Sequence, residues 1–203
     1  MTLIITAICK DGVFIKSDKR RKLPNSDKYE DNLKKVFVSQ DKRIIIYNHG
    51  INEINGKWWR DLAFKSAKQI QHDKVSDINK ALDEVEKNVF TDAIIELSKY
   101  PDTHLCAFVV ILKVSSNEWS AGEIYWKKGQ GVTRNLNLDR FILSGAHDYV
   151  CYSSKYEQES YFASISMTEA KAEIDLLWAD AVRNQDRAHG QEFSSTCDEV
   201  GIT

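Results

Sequence analysis

The chain has 203 residues, in which 28 lysines and arginines nearly balance 30 aspartates and glutamates, so its net charge is −2. A chain of this length can bury a sizeable core in one domain, and its balanced charge argues against a dedicated nucleic-acid binder, which carries a basic excess. No apolar run approaches the roughly 18 residues of a membrane span, and the apolar N-terminal stretch lacks the basic flank of a signal peptide. We therefore predict one cytoplasmic domain over residues 1–203, with no membrane and no nucleic-acid partner.

The cysteines and histidines form no pattern that indicates a metal site. The four cysteines contain no CxxC pair, and the five histidines show neither HxxxH nor HExxH spacing. Scattered cysteines of this kind are typical of reduced thiols in a cytoplasmic protein. The sequence therefore predicts no metal ion and no organic cofactor, with a zinc site built from the cysteines as the weaker alternative.

The chain opens with a predicted β-hairpin. Residues 2–9 are apolar at both alternating positions, which is typical of a strand that is covered on both faces. Asp11-Gly12 predicts the turn, and residues 13–15 predict the returning strand. A polar, basic loop is expected over residues 16–31.

The rest of the chain predicts an α+β fold in which strands and helices come in blocks. Residues 48–50 are expected to break a strand, and a capping box at Ser166 and Glu169 is expected to open a late helix. Because the first and longest strands are apolar on both faces, we predict stacked sheets with helices on both outer sides. The further predicted strands are 35–38, 43–47, 105–114, 123–126, 140–143 and 196–202, and the predicted helices are 55–72, a helix from an N-cap at Ser76 to Pro101, and one that buries Ala170, Ile174, Leu177, Trp178 and Ala181.

Thr2 is a candidate nucleophile, because it becomes the first residue if the initiator Met1 is removed, and its small side chain favours that removal. A terminal threonine carries its own base, since the α-amino group has a pKa of about 7.7–8.0 and is partly neutral at pH 7. That amine can take the proton of the hydroxyl directly or through one water. Alternatively, Thr2 is only the first residue of a strand.

The surroundings of Thr2 resemble the beginning of a known family. An apolar strand starts at the threonine, a turn follows at Asp11-Gly12, and the second strand runs into Asp18 and Arg20. This order resembles the opening of proteasome β-type subunits, which belong to the N-terminal-nucleophile (Ntn) hydrolases.

The resemblance continues in chain order through most of the sequence. Residues 32–36 are similar to the stretch around the family's catalytic lysine, most closely in the bacterial two-ring relative of the proteasome, and residues 41–50 to the next strand and its terminal glycine. Residues 143–146 resemble the family's Gly-Ser-Gly turn, residues 167–170 the start of its late helix, and residues 186–190 the Asp-x-x-Ser-Gly motif that follows. The resemblance implies a four-layer αββα sandwich, with two stacked antiparallel sheets between helix layers.

By this resemblance Thr2 is the nucleophile, and its amine is the base or a proton relay. Lys35 would place a positive charge beside the amine and lower the pKa of that amine, while Asp18 would hold Lys35 charged and oriented. Lys35 is preferred to Lys34 because it directly precedes the apolar Val36, although strand parity decides which lysine points inward. Without the resemblance, Asp18 is interpreted as a solvated hairpin end and Lys35 as a surface lysine.

The resemblance also assigns roles farther along the chain. A backbone N–H that faces a developing oxyanion is worth roughly 3–4 kcal/mol. The expected oxyanion donor is Gly50, the expected network around the terminal amine is Ser144, Asp186 and His189, and the expected lining of a polar primary pocket is Asn48 and Asn52. Alternatively, the glycine only ends a strand, and the serine and aspartate only cap turns.

Three features depart from the family pattern. Lys16 stands where the family has a small residue, so it is expected to crowd the site or to compete with Lys35 for Asp18. His189 replaces the late serine, which would make the network sensitive to pH. A strict two-residue turn would put Asp18 and Thr2 on opposite faces of the sheet, so the site is expected to need a longer turn or a bulge in this hairpin.

Three hypotheses about function remain. The first is a threonine peptidase of proteasome β type that cleaves peptides or small amides within a homo-oligomeric ring, with an unfoldase as a further partner. The second is an inactive scaffold or interaction subunit of the same fold, favoured by Lys16 and His189. Inactive ring subunits usually extend before the first strand, and the sequence shows no such extension, which favours the enzyme. The third is an unrelated α/β binding protein.

Overall fold

The computed structural model describes residues 2–22, 28–101, 103–116, 118–190 and 192–203. The chain divides into two compact units, one formed by the residues up to Lys35 together with Asp139–Thr203, and the other by Val36–Leu138. The prediction of one domain over residues 1–203 therefore stays a prediction. Among the described residues, no helix has both the length and the apolar character that crossing a bilayer requires.

Strands and helices alternate in blocks along the described chain. The strands are β1 (Leu3–Cys9), β2 (Gly12–Asp18), β3 (Arg20–Lys22), β4 (Tyr29–Asp31), β5 (Val36–Val38), β6 (Ile44–Gly50), β7 (Glu53–Ile54), β8 (Lys57–Trp58), β9 (Leu105–Ser115), β10 (Glu118–Lys127), β11 (Gly131–Leu136), β12 (Phe141–Gly145) and β13 (Cys197–Ile202). The helices are α1 (Trp59–His72), α2 (Ile78–Val89), α3 (Ile94–Leu97), α4 (Glu159–Ser164) and α5 (Met167–Arg187).

The first unit is a four-stranded antiparallel sheet with the strand order β12-β1-β2-β13. Every residue of β1 is buried, as its apolar character at both parities predicts. Alternate residues of a strand share a face, and Leu3, Ile5 and Ala7 pack in one cluster with residues of α5. The predicted capping box of α5 is present. The predicted apolar face of α5 is also confirmed, with Ala170, Ile174, Leu177, Trp178 and Ala181 all buried.

The second unit is a five-stranded antiparallel sheet with the strand order β11-β10-β9-β6-β5. The helices α1 and α2 lie against this sheet, with α1 on β6 and α2 on β9 and β10. Trp59, Leu82 and Phe108 are buried together in the core of this unit. The unit therefore has its own core, built from one sheet and one helix pair.

The first hairpin turns one residue earlier than predicted. Cys9 pairs with Gly12, so the turn residues are Lys10 and Asp11. A Cβ atom on Gly12 would lie 2.1 Å from the carbonyl oxygen of Ile202. The glycine is therefore required by the close approach of the C-terminal strand and not by the turn.

The loop predicted over residues 16–31 is largely strand. The strand β2 continues to Asp18, and the short strands β3 and β4 pair with each other. The polar residues at the end of β2, Lys16, Ser17 and Asp18, are all buried. Their polarity suggested a solvated loop. Lys16 and Asp18 are nevertheless buried, because each finds charged and hydrogen-bonding partners. Residues 23–27 of the predicted loop lie outside the described residues.

The two predicted helices of the second unit begin later than expected. Asn55 and Gly56 have φ angles of 52° and 68°, so they form the turn between β7 and β8, and α1 starts only at Trp59. Asn-Gly is a strong hairpin signal, and it accounts for a turn where the helix was expected to start. The N-cap of α2 is Asp77, whose carboxylate accepts the third N–H of the helix, and not Ser76.

The larger sheet also differs from its prediction. Residues 48–50 belong to β6 and do not break it, β10 starts at Glu118 and not at residue 123, and β11 was not predicted. The helix predicted to run to Pro101 is divided into α2 and α3. Polar residues in β10 and β11 obscured the alternation, because the β11 edge of the sheet is largely exposed.

Candidate active site

Three of the predicted residues meet in the first unit. The Nζ atom of Lys35 donates to Thr2 Oγ1 at 2.8 Å and to Asp18 Oδ1 at 2.7 Å. Thr2 is 5% exposed, Lys35 2% and Asp18 0%, whereas Lys34 is exposed. The alternatives of a solvated Asp18 and a surface Lys35 are therefore wrong, and Lys35 is the inward-pointing lysine of the pair.

The Asp18 carboxylate is held by donors on both oxygens. Oδ1 accepts the backbone N–H of Leu3 at 2.8 Å besides the ammonium of Lys35. Oδ2 accepts the backbone N–H of Arg20 at 2.8 Å and, at a longer 3.4 Å, that of Ser194. A buried charge is tolerated when it is paired and fully hydrogen-bonded. These donors fix the direction in which the carboxylate faces Lys35.

The expected longer turn or bulge in the first hairpin is not needed. The register between β1 and β2 is regular and places Ile4 opposite Ser17, so Leu3 comes opposite Asp18 and parity does separate Asp18 from Thr2. Asp18 is the last residue of β2, and its carboxylate reaches the N–H of Leu3 at the end of β1. Lys35 then spans the remaining gap to Thr2. Parity sets the direction of Cβ, and it does not limit a carboxylate and a long amine at a strand end.

The backbone of Thr2 is positioned by the predicted glycine turn. The N–H of Ala146 donates to the carbonyl oxygen of Thr2 at 2.6 Å. Gly145 has φ +89°, and a Cβ atom there would lie 1.7 Å from that same oxygen. Ser144 is buried and pairs with Ile4 in the neighbouring strand. Only glycine fits at 145, so this turn is built to receive the first residues of the chain.

The electrostatics of Lys35 favour proton acceptance. Burial lowers the pKa of Lys35 below its ordinary value of 10.5, and the attraction of Asp18 only partly offsets this. A buried amine with one carboxylate partner releases its proton more readily than a free lysine. Because Nζ lies within hydrogen-bond distance of the Thr2 hydroxyl, its neutral form can accept the hydroxyl proton.

Lys16 does not compete with Lys35, so that expectation is wrong. The Nζ atom of Lys16 binds the carboxylate of Asp175 on α5 and lies 3.0 Å from Glu199 Oε1 on β13. Burial alone would lower the pKa of Lys16, but these two carboxylates outweigh it and raise that pKa above 10.5. Its charge is thus held away from Asp18.

An ion pair beside the site was not predicted. Arg20 donates to both carboxylate oxygens of Asp31, with Nε–Oδ1 at 2.8 Å and Nη2–Oδ2 at 2.9 Å. The hydrogen bond from Arg20 lowers the pKa of Asp31. Arg20 stood in the family pattern without an assigned partner, and nothing in the sequence indicated Asp31. The sequence likewise did not indicate that the backbone of Ser194 lies beside Asp18.

Asp186 and His189 lie at the C-terminal end of α5 and are both exposed. The N–H of His189 donates to the carbonyl oxygen of Asp186 at 3.1 Å, and His189 has φ 51°. This geometry ends the helix with a left-handed residue. Within the described residues, no hydrogen bond joins either side chain to Thr2, Asp18 or Lys35. Their predicted role around the terminal amine stays a prediction.

Asn48, Gly50 and Asn52 belong to the second unit, and their predicted roles also stay predictions. Asn48 is 1% exposed, its amide nitrogen donates to two backbone carbonyls at 3.0 and 3.1 Å, and its Oδ1 has no partner in the described structure. Gly50 has φ +89° and lies so close to the carbonyl of Leu105 that no Cβ fits. Asn52 is half-buried. No group of three metal-ligating side chains occurs among the described residues.

Several solved structures share this fold. Anbu from Yersinia bercovieri, named as an ancestral beta-subunit, is similar over 98% of this chain and 81% of that chain, with a TM-score of 0.63 and 10% identity. A mutant of Anbu from Hyphomicrobium sp. strain MC1 is similar over 100% of this chain and 81% of that chain, with a TM-score of 0.60 and 12% identity. Eukaryotic HslV from Trypanosoma brucei is similar over 98% of both chains, with a TM-score of 0.57 and 13% identity.

No family model matches the sequence, and no curated protein matches it in sequence. The structural neighbours are proteasome-related proteins with the Ntn fold, and the likeness covers nearly the whole chain. The predicted α+β class, the αββα sandwich of the Ntn hydrolases, is therefore confirmed. The third hypothesis, an ordinary α/β binding protein, is not favoured, because both main sheets are antiparallel. At 10% to 13% identity this likeness concerns the fold alone.

Proposed function

We propose that this chain hydrolyses amide bonds, with Thr2 as an N-terminal nucleophile that is freed when Met1 is removed. Met1 lies outside the described residues. The observation that carries the proposal is the position of Lys35, whose Nζ lies 2.8 Å from the Thr2 hydroxyl and 2.7 Å from Asp18. A hydroxyl, a buried amine and an orienting carboxylate form the arrangement that activates a weak nucleophile.

The reaction would proceed through an ester on Thr2. The hydroxyl proton passes to a base while Oγ1 attacks the carbonyl carbon of the substrate. The C–N bond then breaks, the amine leaves with the proton, and the acyl group stays on Thr2. Water hydrolyses the ester and restores the hydroxyl.

Two groups can take the proton of the hydroxyl. One is the terminal amine of Thr2, which the resemblance favours. The other is Lys35, which touches the hydroxyl and whose pKa is lowered by burial. Asp18 orients Lys35 in either case, because its carboxylate is fixed by backbone donors from Leu3 and Arg20.

The finer features of the proposal follow the resemblance. The substrate would be a peptide or a small amide, and Gly50 would supply the oxyanion donor. Ser144, Asp186 and His189 would surround the terminal amine, while Asn48 and Asn52 would line the pocket for the substrate side chain. The chain would act in a homo-oligomeric ring in the cytoplasm, with an unfoldase as a further partner.

The alternative is an inactive scaffold subunit of the same fold. It is favoured by the exposed positions of Asp186 and His189, whose side chains form no hydrogen bond with Thr2 in the part of the chain that the structure describes. A subunit without its supporting network would keep the fold and lose the reaction. Lys16 no longer supports this alternative, because its charge is bound elsewhere.

Intact-mass measurement separates the two functions. The purified chain is measured before and after incubation with a β-lactone or an epoxyketone, which react with a terminal threonine nucleophile. We expect the loss of one methionine and the addition of one inhibitor per chain, mapped to Thr2, while Thr2→Ala stays unlabelled because it has no hydroxyl. A chain that keeps Met1 and takes up no inhibitor would identify the scaffold.

A further inference from the structure

A buried glutamine clamps the segment that follows α5. Gln185 is 5% exposed. Its Nε2 donates to the carbonyl oxygen of Phe193 at 3.0 Å, and its Oε1 accepts the N–H of the same residue at 2.9 Å. One side-chain amide thus satisfies both backbone groups of Phe193. The ring of Phe193 is fully buried and packs edge-on against Trp178.

This clamp is connected to Asp18 by two short routes. The carbonyl oxygen of Phe193 also accepts from Arg20 Nη1 at 3.2 Å, and the backbone N–H of Arg20 donates to Asp18 Oδ2. The residue after Phe193 is Ser194, whose N–H points at the same Oδ2 atom from 3.4 Å. Both residues that donate to Oδ2 are therefore attached to Phe193. Arg20 is hydrogen-bonded to its carbonyl oxygen, and Ser194 follows it in the chain.

We propose that Gln185 is a positioning residue for the catalytic lysine, and this rests on the proposed function of Thr2. Gln185 holds Phe193, which places the donors that aim the Asp18 carboxylate at Lys35. Among the described residues, Gln185 forms no hydrogen bond with Thr2 or Lys35, so it acts only through Asp18. The resemblance assigned a role to its neighbour Asp186, which is exposed. Gln185 is instead the residue of this pair that is buried and hydrogen-bonded to Phe193.

The chemistry of the side chain explains why a glutamine stands here. Only a group with both a donor and an acceptor can bind the N–H and the C=O of one residue. Methionine has a similar length and supplies neither. An ionised glutamate keeps the acceptor and loses the donor, and a protonated one regains it. Gln185→Met and Gln185→Glu therefore remove the clamp wholly or in part at nearly constant size.

The charge on Lys35 gives a readout that needs no substrate. Lys35 is faced by Asp18 and Asp31, which raise its pKa, and by Arg20, which lowers it. If the clamp is lost and Asp18 turns away, Lys35 should lose its proton at lower pH, by roughly one pH unit. The titration is followed by NMR of ε-carbon-labelled lysine in the full chain, and Lys35→Met identifies the signal.

A matched control lies one residue away on the same helix. Asn184 donates through its amide to the carbonyl oxygen of Tyr149 at 2.9 Å. Asn184→Ala removes an amide-to-carbonyl bond of the same kind. Its partner Tyr149 packs its ring against Phe193, but both bonds of the clamp stay in place, so the titration of Lys35 should remain as in the wild type. An unchanged titration in folded Gln185→Met, or an equal shift in Asn184→Ala, would overturn the proposal.

The rate of inhibitor labelling connects the clamp to the reaction. Misplacing a group by about 1 Å can cost roughly 100-fold in rate, so we expect Gln185→Met to label Thr2 roughly 10- to 100-fold more slowly, with the loss in the maximal rate and not in the half-saturating inhibitor concentration. The rate of Gln185→Glu relative to wild type should rise as pH falls, because its carboxyl regains a proton. Arg20, which donates to the carbonyl oxygen of Phe193 beside the clamp, favours the ionised form and works against this rise.

The two proposals fail in different ways. If wild-type Thr2 does not react at all but the Lys35 titration shifts in Gln185→Met, the proposed hydrolase is wrong and the positioning role stands. If Thr2 reacts and Gln185→Met reacts equally fast with the wild-type titration, the positioning role is wrong and the hydrolase stands.

Discussion

Two lysines are buried in the first unit, and their surroundings shift their pKa values in opposite directions. Lys16 is 7% exposed and Lys35 is 2% exposed. Burial acts to lower the pKa of both amines. The pKa of Lys16 is nevertheless raised, whereas that of Lys35 is lowered.

The partners account for this difference. Lys16 binds two carboxylates, those of Asp175 and Glu199. Lys35 binds one carboxylate, Asp18, and the neutral hydroxyl of Thr2. The two carboxylates outweigh the shallower burial of Lys16, whereas the deeper burial of Lys35 outweighs the attraction of its one bound carboxylate, so Lys35 loses its proton more readily. The ion pairs of Lys16 therefore join β2 to α5 and β13, whereas Lys35 faces the candidate nucleophile Thr2.

The largest expected effect is that of Lys35→Met on the labelling of Thr2. Loss of a general base or of its charge costs about 10²- to 10⁴-fold in rate, so we expect labelling to fall by roughly 1,000-fold. Removal of one partner of a buried ion pair also leaves the other charge unpaired, at a cost of about 3–5 kcal/mol in the free energy of unfolding. Labelling kinetics and urea denaturation measure the two effects.

Two further variants make this prediction specific. Adding Asp18→Asn to Lys35→Met removes the stranded charge, so the double variant should regain much of the stability and none of the labelling. Lys16→Met also removes a buried ammonium, but it should label at close to the wild-type rate. Equal loss of labelling in Lys16→Met and Lys35→Met would contradict the division of roles between the two lysines.

The sequence was sufficient to predict the residues that meet at Lys35. Thr2, Asp18 and Lys35 could be selected because their order along the chain resembles a family, and β1 and the capping box of α5 follow from local patterns. Strand parity correctly predicted that Asp18 and Thr2 lie on opposite faces, but the longer turn or bulge inferred from it is absent. It considered Cβ directions, whereas the contact is made by the end of a carboxylate and of a four-carbon amine.

The partners of Lys16 and the clamp at Gln185 could not be predicted. Lys16 and Asp175 are 159 positions apart, and a polar residue in a strand says nothing about which distant carboxylate meets it. Gln185 binds a backbone, and backbone groups carry no sequence signal. The second sheet was underestimated for a related reason, since its exposed edge strand β11 lacks a clear alternation.

A smaller effect is expected from Lys16→Met on stability. The variant removes two charged hydrogen bonds, but Lys171 also pairs with both carboxylates, at 3.2 Å from Asp175 and 2.5 Å from Glu199. Both carboxylates are more than a third exposed, so solvent screens much of the loss. We therefore expect the free energy of unfolding to fall by about 1–2 kcal/mol, as measured by urea denaturation. A loss as large as that of Lys35→Met would contradict this ranking.

The smallest expected effect is the pH dependence of these two stability differences, and its sign distinguishes the lysines. The folded pKa of Lys16 lies above 10.5, so its stabilisation is complete below pH 10.5 and declines as pH rises through the folded value. The folded pKa of Lys35 lies below 10.5, so the folded chain binds fewer protons than the unfolded chain between these values, and the contribution of Lys35 to stability grows with pH. Urea denaturation from pH 7 to 11 should therefore show a difference in the free energy of unfolding between wild type and Lys16→Met that is constant at first and then shrinks. The difference in the free energy of unfolding between wild type and Lys35→Met should widen over the same range before it levels. If the two differences changed with pH in the same way, both lysines would keep their charge, and Lys35 could not accept a proton from Thr2.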